Sequence, residues 1–317
     1  MKRERIGIGI DAGGTFTKLI AVSESGKVLG EDSVPTERER GPRPFIRRVA
    51  AAVHALERDT GRGGAAGLAV AGDVDSERGV LRRSPNLAPF EGYTLRKAMA
   101  AALERPVTMH NDANMAAWGC YALELKRRCP NVVAITMGTG IGGGLVLDGR
   151  LYAGPTGSAG EIGHMRVTGD GFPCACGARG CLEAHAGSYG IRRTVKQLLR
   201  ERPHARSPLR EPGAGRFPER ASEAARRGDP LAREVWRRVG RALGVGVVNL
   251  VYLFNPDAVV FTGGVSRAGD LFLDPVRQAL RAESFRAPFG HVRLRSARRR
   301  RLGSLGAALY SLEEGGQ

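Results

Sequence analysis

Apolar and polar positions along this chain follow two rhythms, and the order of the rhythms outlines the fold. Residues 6–10 form a short apolar run, residues 16–22 a second one across a glycine turn, and residues 27–34 continue the strand pattern. Residues 45–57 then place apolar side chains at helical spacing, 68–71 read as a strand, 93–103 as a helix, 107–110 as a strand and 113–126 as a helix. The grammar then repeats. Residues 132–137 and 143–147 pair as a hairpin, and 151–152 follow as a third strand. Helices are predicted from 183 to 200 and over 230–254, a strand over 257–261, a helix over 270–282, a strand over 292–295 and a closing helix over 303–313. The Pro-, Arg- and Gly-rich residues 202–217 read as an exposed loop. Two copies of a hairpin-then-helices unit predict a duplicated α/β architecture. The duplication shows in the order of elements and not residue by residue.

A length of 317 residues suits two domains of roughly 150 residues each. The boundary is read near residue 115, giving domains 1–115 (closed by the helix in 303–317) and 116–302. The longest apolar run, residues 244–254, is well short of the roughly 20 residues that span a bilayer. Residues 1–5 are charged and lead into a strand without an apolar signal region, so a cytoplasmic protein with no membrane partner is expected. The net charge of +17 is largely arginine, including residues 298–301. With no helix-turn-helix and no aromatic interleaving, nucleic acid is not an expected partner. A positive field equally suits anionic phosphates.

Five cysteines, an odd number, argue against a disulfide framework. Three of them, Cys174, Cys176 and Cys181, follow His164 at a spacing that suits a closed tetrahedral Zn²⁺ site within the loop 164–181. Such a site leaves no open coordination position, so its role is to hold a loop in shape. Glu161 and Glu183 flank the cluster. Cys120 and Cys129 stand apart and read as packing residues.

Glycine turns end three of the predicted strands. Asp11-Ala12-Gly13-Gly14-Thr15 follows the first, Gly138-Thr139-Gly140-Ile141-Gly142-Gly143-Gly144 a later one, and Gly263-Gly264 a third. Paired glycines let backbone N–H groups approach an anion without a Cβ in the way. Asp11 is placed to hold Mg²⁺ through water, and Thr15 to donate to a phosphate oxygen. Together the turns point to a nucleotide held in a cleft between two domains. The pattern is not a Rossmann fingerprint, because the first turn runs into a strand.

His110-Asn111-Asp112 ends a strand and opens a helix. Asp112 has a plain reading as an N-cap. In a phosphotransferase, however, a carboxylate must take the proton of the attacking hydroxyl, and Asp112 is the best placed. Asn111 can bond a vicinal diol, and Glu161, His164 and Glu183 can cradle further hydroxyls.

With these motifs and Ser84-Pro85-Asn86-Leu87, the chain resembles the ROK family of repressors, open-reading-frame proteins and sugar kinases over essentially its whole length. The resemblance implies an actin-like ATPase fold, with two ribonuclease-H-like α/β domains closing over ATP and a hexose. It implies Asp112 as general base and Asn111, Glu161, His164 and Glu183 as sugar ligands. His164, Cys174, Cys176 and Cys181 become the zinc ligands, and the assembly a homodimer. The activity expected is ATP-dependent phosphorylation of the 6-hydroxyl of glucose or a relative, with N-acetylhexosamines as the alternative acceptor and polyphosphate as the alternative donor. A sugar-responsive repressor is disfavoured, because ten residues precede Asp11. The chain departs from the family pattern at Val70-Ala71-Gly72, at Phe16-Thr17-Lys18 and at His185.

Overall fold

A computed structural model describes residues 4–211 and 216–314. The elements run β1 (Ile6–Ala12), β2 (Phe16–Ser23), β3 (Val28–Pro35), α1 (Pro42–Thr60), β4 (Ala65–Val70), β5 (Asp73–Asp75), β6 (Val80–Arg83), α2 (Leu95–Leu103), β7 (Val107–Asn111) and α3 (Asp112–Gly119). They continue with β8 (Val132–Met137), β9 (Ile141–Leu147), β10 (Arg150–Tyr152), α4 (Leu182–Ala186), α5 (Ser188–Glu201), α6 (Phe217–Arg226), α7 (Pro230–Phe254), β11 (Ala258–Thr262), α8 (Asp270–Ala282), β12 (Arg293–Ser296) and α9 (Leu302–Glu314). Two five-stranded sheets have matching orders, β3-β2-β1-β4-β7 and β10-β9-β8-β11-β12. In the first, β1 is antiparallel to β2 and parallel to β4, which is parallel to β7. In the second, β9 and β10 are antiparallel, while β8, β11 and β12 are parallel.

The chain forms two compact units. One comprises Met1–Pro130, Gly144–Gly160 and Arg299–Gln317, the other Asn131–Gly143 and Glu161–Arg298. The first sheet shows how its sequence builds layers. Period-2 alternation sends Ile8 and Ile10 of β1 into a core shared with Phe45, Val49 and Val53 of α1 and Met99 of α2. Gly7 and Gly9 point the other way, and α9 lies against them. A Cβ on Gly9 would stand 2.0 Å from the Ser304 carbonyl oxygen, and one on Gly67 of β4 2.0 Å from that of Ala307. The bare strand surface is what admits the helix.

In the second unit α7 is the spine. Asp229 caps it, one carboxylate oxygen accepting from the Ala232 N–H at 2.6 Å, with Pro230 in the first turn. It ends at Asn255 in the left-handed region, φ 43°. Its buried Trp236 stands beside Phe272 of α8, which meets Phe261 of β11 edge-on at 5.1 Å.

Most predicted elements fall where the hydrophobic rhythm places them, with four differences. The helix read over 113–126 ends at Gly119 and continues as one π turn, Cys120–Glu124. The helix read over 183–200 breaks at Gly187, where a Cβ would stand 2.8 Å from the Glu183 carbonyl oxygen. The β5–β6 hairpin and α6 fall outside the predicted elements; α6 buries Ala221, Ala224 and Ala225, small residues rather than large apolar ones. Within the loop read over 202–217, Pro208–Arg210 form a 3₁₀ turn and residues 212–215 lie outside the described residues. The expected boundary at residue 115 lies inside α3, a continuous helix that packs against α9. A Cβ on Gly306 would stand 1.8 Å from the Met115 carbonyl oxygen. Among the described residues no helix is long and apolar enough to cross a membrane.

Candidate active site

In the first unit, three parallel strands end side by side. The register pairs Ala12 with Val70 and Val70 with Asn111, so Asp11-to-Thr15, Gly72 and Asn111-Asp112 share one sheet edge. That carboxyl edge is where open α/β sheets bind ligands. The first turn is braced from β3's end: the Thr36 hydroxyl donates to the Gly13 carbonyl at 2.7 Å, and its N–H to that of Thr15 at 2.9 Å.

Asp11 is partly buried, and desolvation raises its pKa above the usual carboxylate range. The charges of Lys18 first and Arg301 after it oppose that rise without cancelling it. Lys18 is the cross-strand partner of Asp11, and its Nζ lies 3.8 Å from Asp11 Oδ2. Ser84 ties its segment to the end of β4 by donating to the Ala71 carbonyl at 2.6 Å, and Cβ of Asn86 lies 3.3 Å from the position of a Cβ on Gly14.

The N-cap of α3 is Asn111, not Asp112. Its Oδ1 accepts from the N–H groups of Ala113 and Asn114, while its Nδ2 donates to the Gly72 carbonyl at 2.8 Å. Asp112 therefore is not needed for capping, and its Oδ1 accepts from Ala113 N–H at 2.9 Å. Asn111, expected as a sugar ligand, spends most of its bonding on backbone and keeps one amide proton. His110 beside it is half-buried, and desolvation lowers its pKa to about 4, with Arg96 adding to the effect. Its Nδ1 lies 3.1 Å from the Ser76 hydroxyl.

In the second unit the parallel strands β8 and β11 end together, Thr136 in register with Thr262. Gly263, at φ +94°, follows, and a Cβ there would stand 2.4 Å from the Met137 carbonyl oxygen. The turn Gly138 to Gly143 is closed by Gly138 N–H on the Gly140 carbonyl at 3.0 Å and by Gly142 N–H on the Thr136 hydroxyl at 3.1 Å. The Gly263-Gly264 and Gly138-to-Gly143 turns thus occupy one edge.

The four expected metal ligands converge. One ligand atom from each of His164, Cys174, Cys176 and Cys181 lies within 4.8 Å of every other. Cys174 Sγ is 3.8 Å from His164 Nδ1, and Cys176 Sγ is 3.8 Å from Cys181 Sγ. A tetrahedral ion with Zn–S bonds of about 2.3 Å sets its sulfurs about 3.8 Å apart, so the donor set and its spacing fit zinc. His164 turns Nδ1 to the thiols, and its Nε2 lies 4.0 Å from Glu161 Oε2.

Glu183 joins the metal loop to the glycine turn. Its Oε2 accepts from Ile141 N–H at 3.1 Å and its Oε1 from the Tyr189 hydroxyl at 3.0 Å, with Cys174 Sγ 3.8 Å from Oε1. Sequence reading missed Lys18, Ser304 and Tyr189 as neighbours of the site. Lys18 could have been found by counting the β1–β2 register back from the turn, while Tyr189 leaves no sequence signal.

The similarity to known proteins runs along the whole chain. It is 36% identical over 281 residues to a glucokinase of Streptomyces coelicolor, covering 86% of each chain. It is 36% identical over 277 residues to a glucokinase of Thermotoga maritima, again 86% of each. A ROK family glucokinase from Streptomyces griseus, solved in complex with glucose and AMPPNP, superposes with a TM-score of 0.82 at 34% identity, over 97% of this chain and 99% of that one. The fold is that of the actin-like ATPases, two α/β sheets of like topology. The profile of the ROK family matches residues 7–314, and the chain belongs to that family.

Proposed function

We propose that the protein is an ATP-dependent hexose kinase that transfers the γ-phosphoryl group to the 6-hydroxyl of glucose or a close relative. One observation carries the reading: a single sheet edge brings the braced Asp11-to-Thr15 turn and the carboxylate of Asp112 together, while Asn111 relieves Asp112 of capping. In this reading Asp112 takes the proton of the attacking hydroxyl, the hydroxyl oxygen bonds to the γ-phosphorus, and ADP departs. Backbone N–H groups of the two glycine turns, with Lys18, face the phosphates. Mg²⁺, when bound, would offset the phosphate charge, and Asp11 is the residue that would hold it through water. Zinc held by His164, Cys174, Cys176 and Cys181 would fix the loop, and Glu161, His164 Nε2 and Glu183 are the groups that would bond sugar hydroxyls. Each unit is read as a ribonuclease-H-like domain, the first carrying the proton acceptor Asp112 and the second the loop with the candidate zinc ligands. The setting proposed is a cytoplasmic homodimer, checked by light scattering at assay concentration.

The experiment is a coupled assay of ADP formation with Mg²⁺ and a panel of glucose, mannose, fructose, allose, N-acetylglucosamine and N-acetylmannosamine, with polyphosphate replacing ATP in parallel. Glucose with ATP is expected to give the highest kcat/KM. A folded, zinc-loaded protein that turns over no member of the panel overturns the reading.

A further inference from the structure

Behind the metal loop, in the second unit, lies a cavity of about 500 Å³ that the proposed reaction does not use. That volume falls within the range of about 300–1,000 Å³ typical of small-molecule sites. Its walls come from three places: the loop between His164 and Cys181, which contributes Phe172 and Arg179; α5, which contributes Gln197; and α7, which contributes Arg238 and Arg241. His185 of α4 backs the loop. Its ring stacks on Phe172 with centroids 5.0 Å apart, and its Nε2 accepts the Phe172 N–H at 3.3 Å. That bond leaves the ring proton on Nδ1, and burial lowers the pKa of the imidazole. The charge of the cavity is therefore set by its three arginines against one lining carboxylate, Asp170.

The three arginines differ in what they are already bound to. Arg238 is committed, to Glu201 at 2.9 Å and Glu234 at 3.0 Å. Arg179 is held only loosely, 4.0 Å from an exposed Asp170. Arg241 is exposed and makes no hydrogen bond or ion pair among the described residues. Two guanidinium groups, one from the metal loop and one from α7, thus line one cavity, with the exposed Asp170 carboxylate loosely against the first and the Gln197 amide also in the lining. Among the described residues no ion pair joins the metal loop to α7. A guanidinium fork binds anionic oxygens in pairs, and a phosphate, with three terminal oxygens and up to two charges, can serve two forks at once, which a neutral sugar cannot.

We propose that this cavity binds a phosphate monoester carried on a polyhydroxylated body, bridging Arg179 of the metal loop to Arg241 of α7. Gln197 bonds the hydroxyls. Bound there, the ester ties the zinc loop to the spine helix and slows release of the metal. The identity of the ester as the kinase's own class of product rests on the function proposed above, whereas the binding site itself does not.

The test is calorimetric titration of the zinc-loaded full chain with glucose 6-phosphate, with saturating glucose and AMPPNP present to fill the catalytic site. Inorganic phosphate is the second probe. Wild type is expected to bind the ester more tightly than inorganic phosphate. Arg241→Glu and Arg179→Gln should each weaken the ester by about tenfold or more, with kcat and melting temperature unchanged. The ester should also slow zinc transfer to a chelator in wild type and not in Arg241→Glu. Ester affinity unchanged in both variants overturns the site, and equal affinity for inorganic phosphate overturns the ester. A protein that binds the ester through Arg241 yet phosphorylates no sugar keeps the site and loses the kinase reading.

Discussion

The two five-stranded sheets share one strand order and carry opposite chemistry at the same edge. Where β1 and β7 end, the first sheet presents Asp11, Asn111 and Asp112, side chains that ionise and bond. Where β8 and β11 end, the second presents Gly138 and Gly263, positions at which backbone alone is offered. Strand order fixes where a ligand is met, and the turn that follows each strand decides what it meets. The titratable edge is stiffened by helix capping and by α9 against bare glycine strands. The glycine edge is stiffened from outside, by Glu183 reaching in from α4, which directly follows the four candidate metal ligands.

The largest effect should come from the titratable edge. Asp112→Asn is expected to lower kcat by about 10²–10⁴, the usual weight of a general base, while leaving sugar affinity and melting temperature near wild type. The structural half of that expectation follows from Asn111 carrying the cap. Asn111→Ala is the matching control and should cost about 1 kcal/mol of stability. Retention of most of kcat in Asp112→Asn would erase the contrast between the edges as drawn here.

The glycine edge is broken through its metal. Zinc removal by chelation, or Cys176→Ser, is expected to raise the KM for sugar by about tenfold or more, because loss of the tetrahedral anchor frees Glu183, His164 and Glu161 together. KM for ATP should move less. Metal content measured beside the kinetics separates the two causes: a zinc-free protein with unchanged sugar KM makes the loop a stability device only.

These contrasts were unequally legible in the sequence. The matched order of elements, the glycine turns and the ligand spacing were all readable, since periodicity and turn chemistry are local. Capping by Asn111 instead of Asp112 was not, because adjacent Asn and Asp are equally good caps and only the backbone angle at the strand end chooses. Glu183 could be read as a site residue, but its hold on Ile141 depends on a 42-residue closure that no local pattern encodes. Lys18 falls between these cases: the register that sets it opposite Asp11 is implied by the turn length, yet the approach of Ser304 and Arg301 from the chain's far end is not.

Lys18 sharpens the comparison at intermediate size. Burial raises the Asp11 pKa and Lys18 is the largest influence lowering it. Lys18→Met is therefore expected to shift the acid limb of kcat/KM for MgATP to higher pH, since Asp11 must be ionised to serve the metal. It should also cut kcat by about tenfold if the ammonium meets phosphate, with Lys18→Arg restoring most of both. A kcat loss with no movement of the acid limb would assign Lys18 to phosphate alone.

The smallest effect lies one residue before the proposed base. His110 is held uncharged, with a pKa of about 4 that burial sets first and Arg96 second. The unfolded chain titrates this group near 6.5, so between those values the unfolded state binds more protons than the folded one. The contribution of neutral His110 is complete above about pH 6.5 and is lost as pH falls toward 4. Glu57 behaves differently. Burial works against its charge, but hydrogen bonds from Arg105 and Gly63 prevail and leave its pKa lowered, so its contribution is lost only below the ordinary carboxylate range. The two windows can be read apart by urea midpoints from pH 7 to pH 3. His110→Gln should flatten the upper window and leave the lower one intact, and Glu57→Gln should do the reverse. Equal slopes in wild type and His110→Gln above pH 5 would show that the strand end beside Asp112 is wetter than its packing against Tyr310 and Ser76 implies.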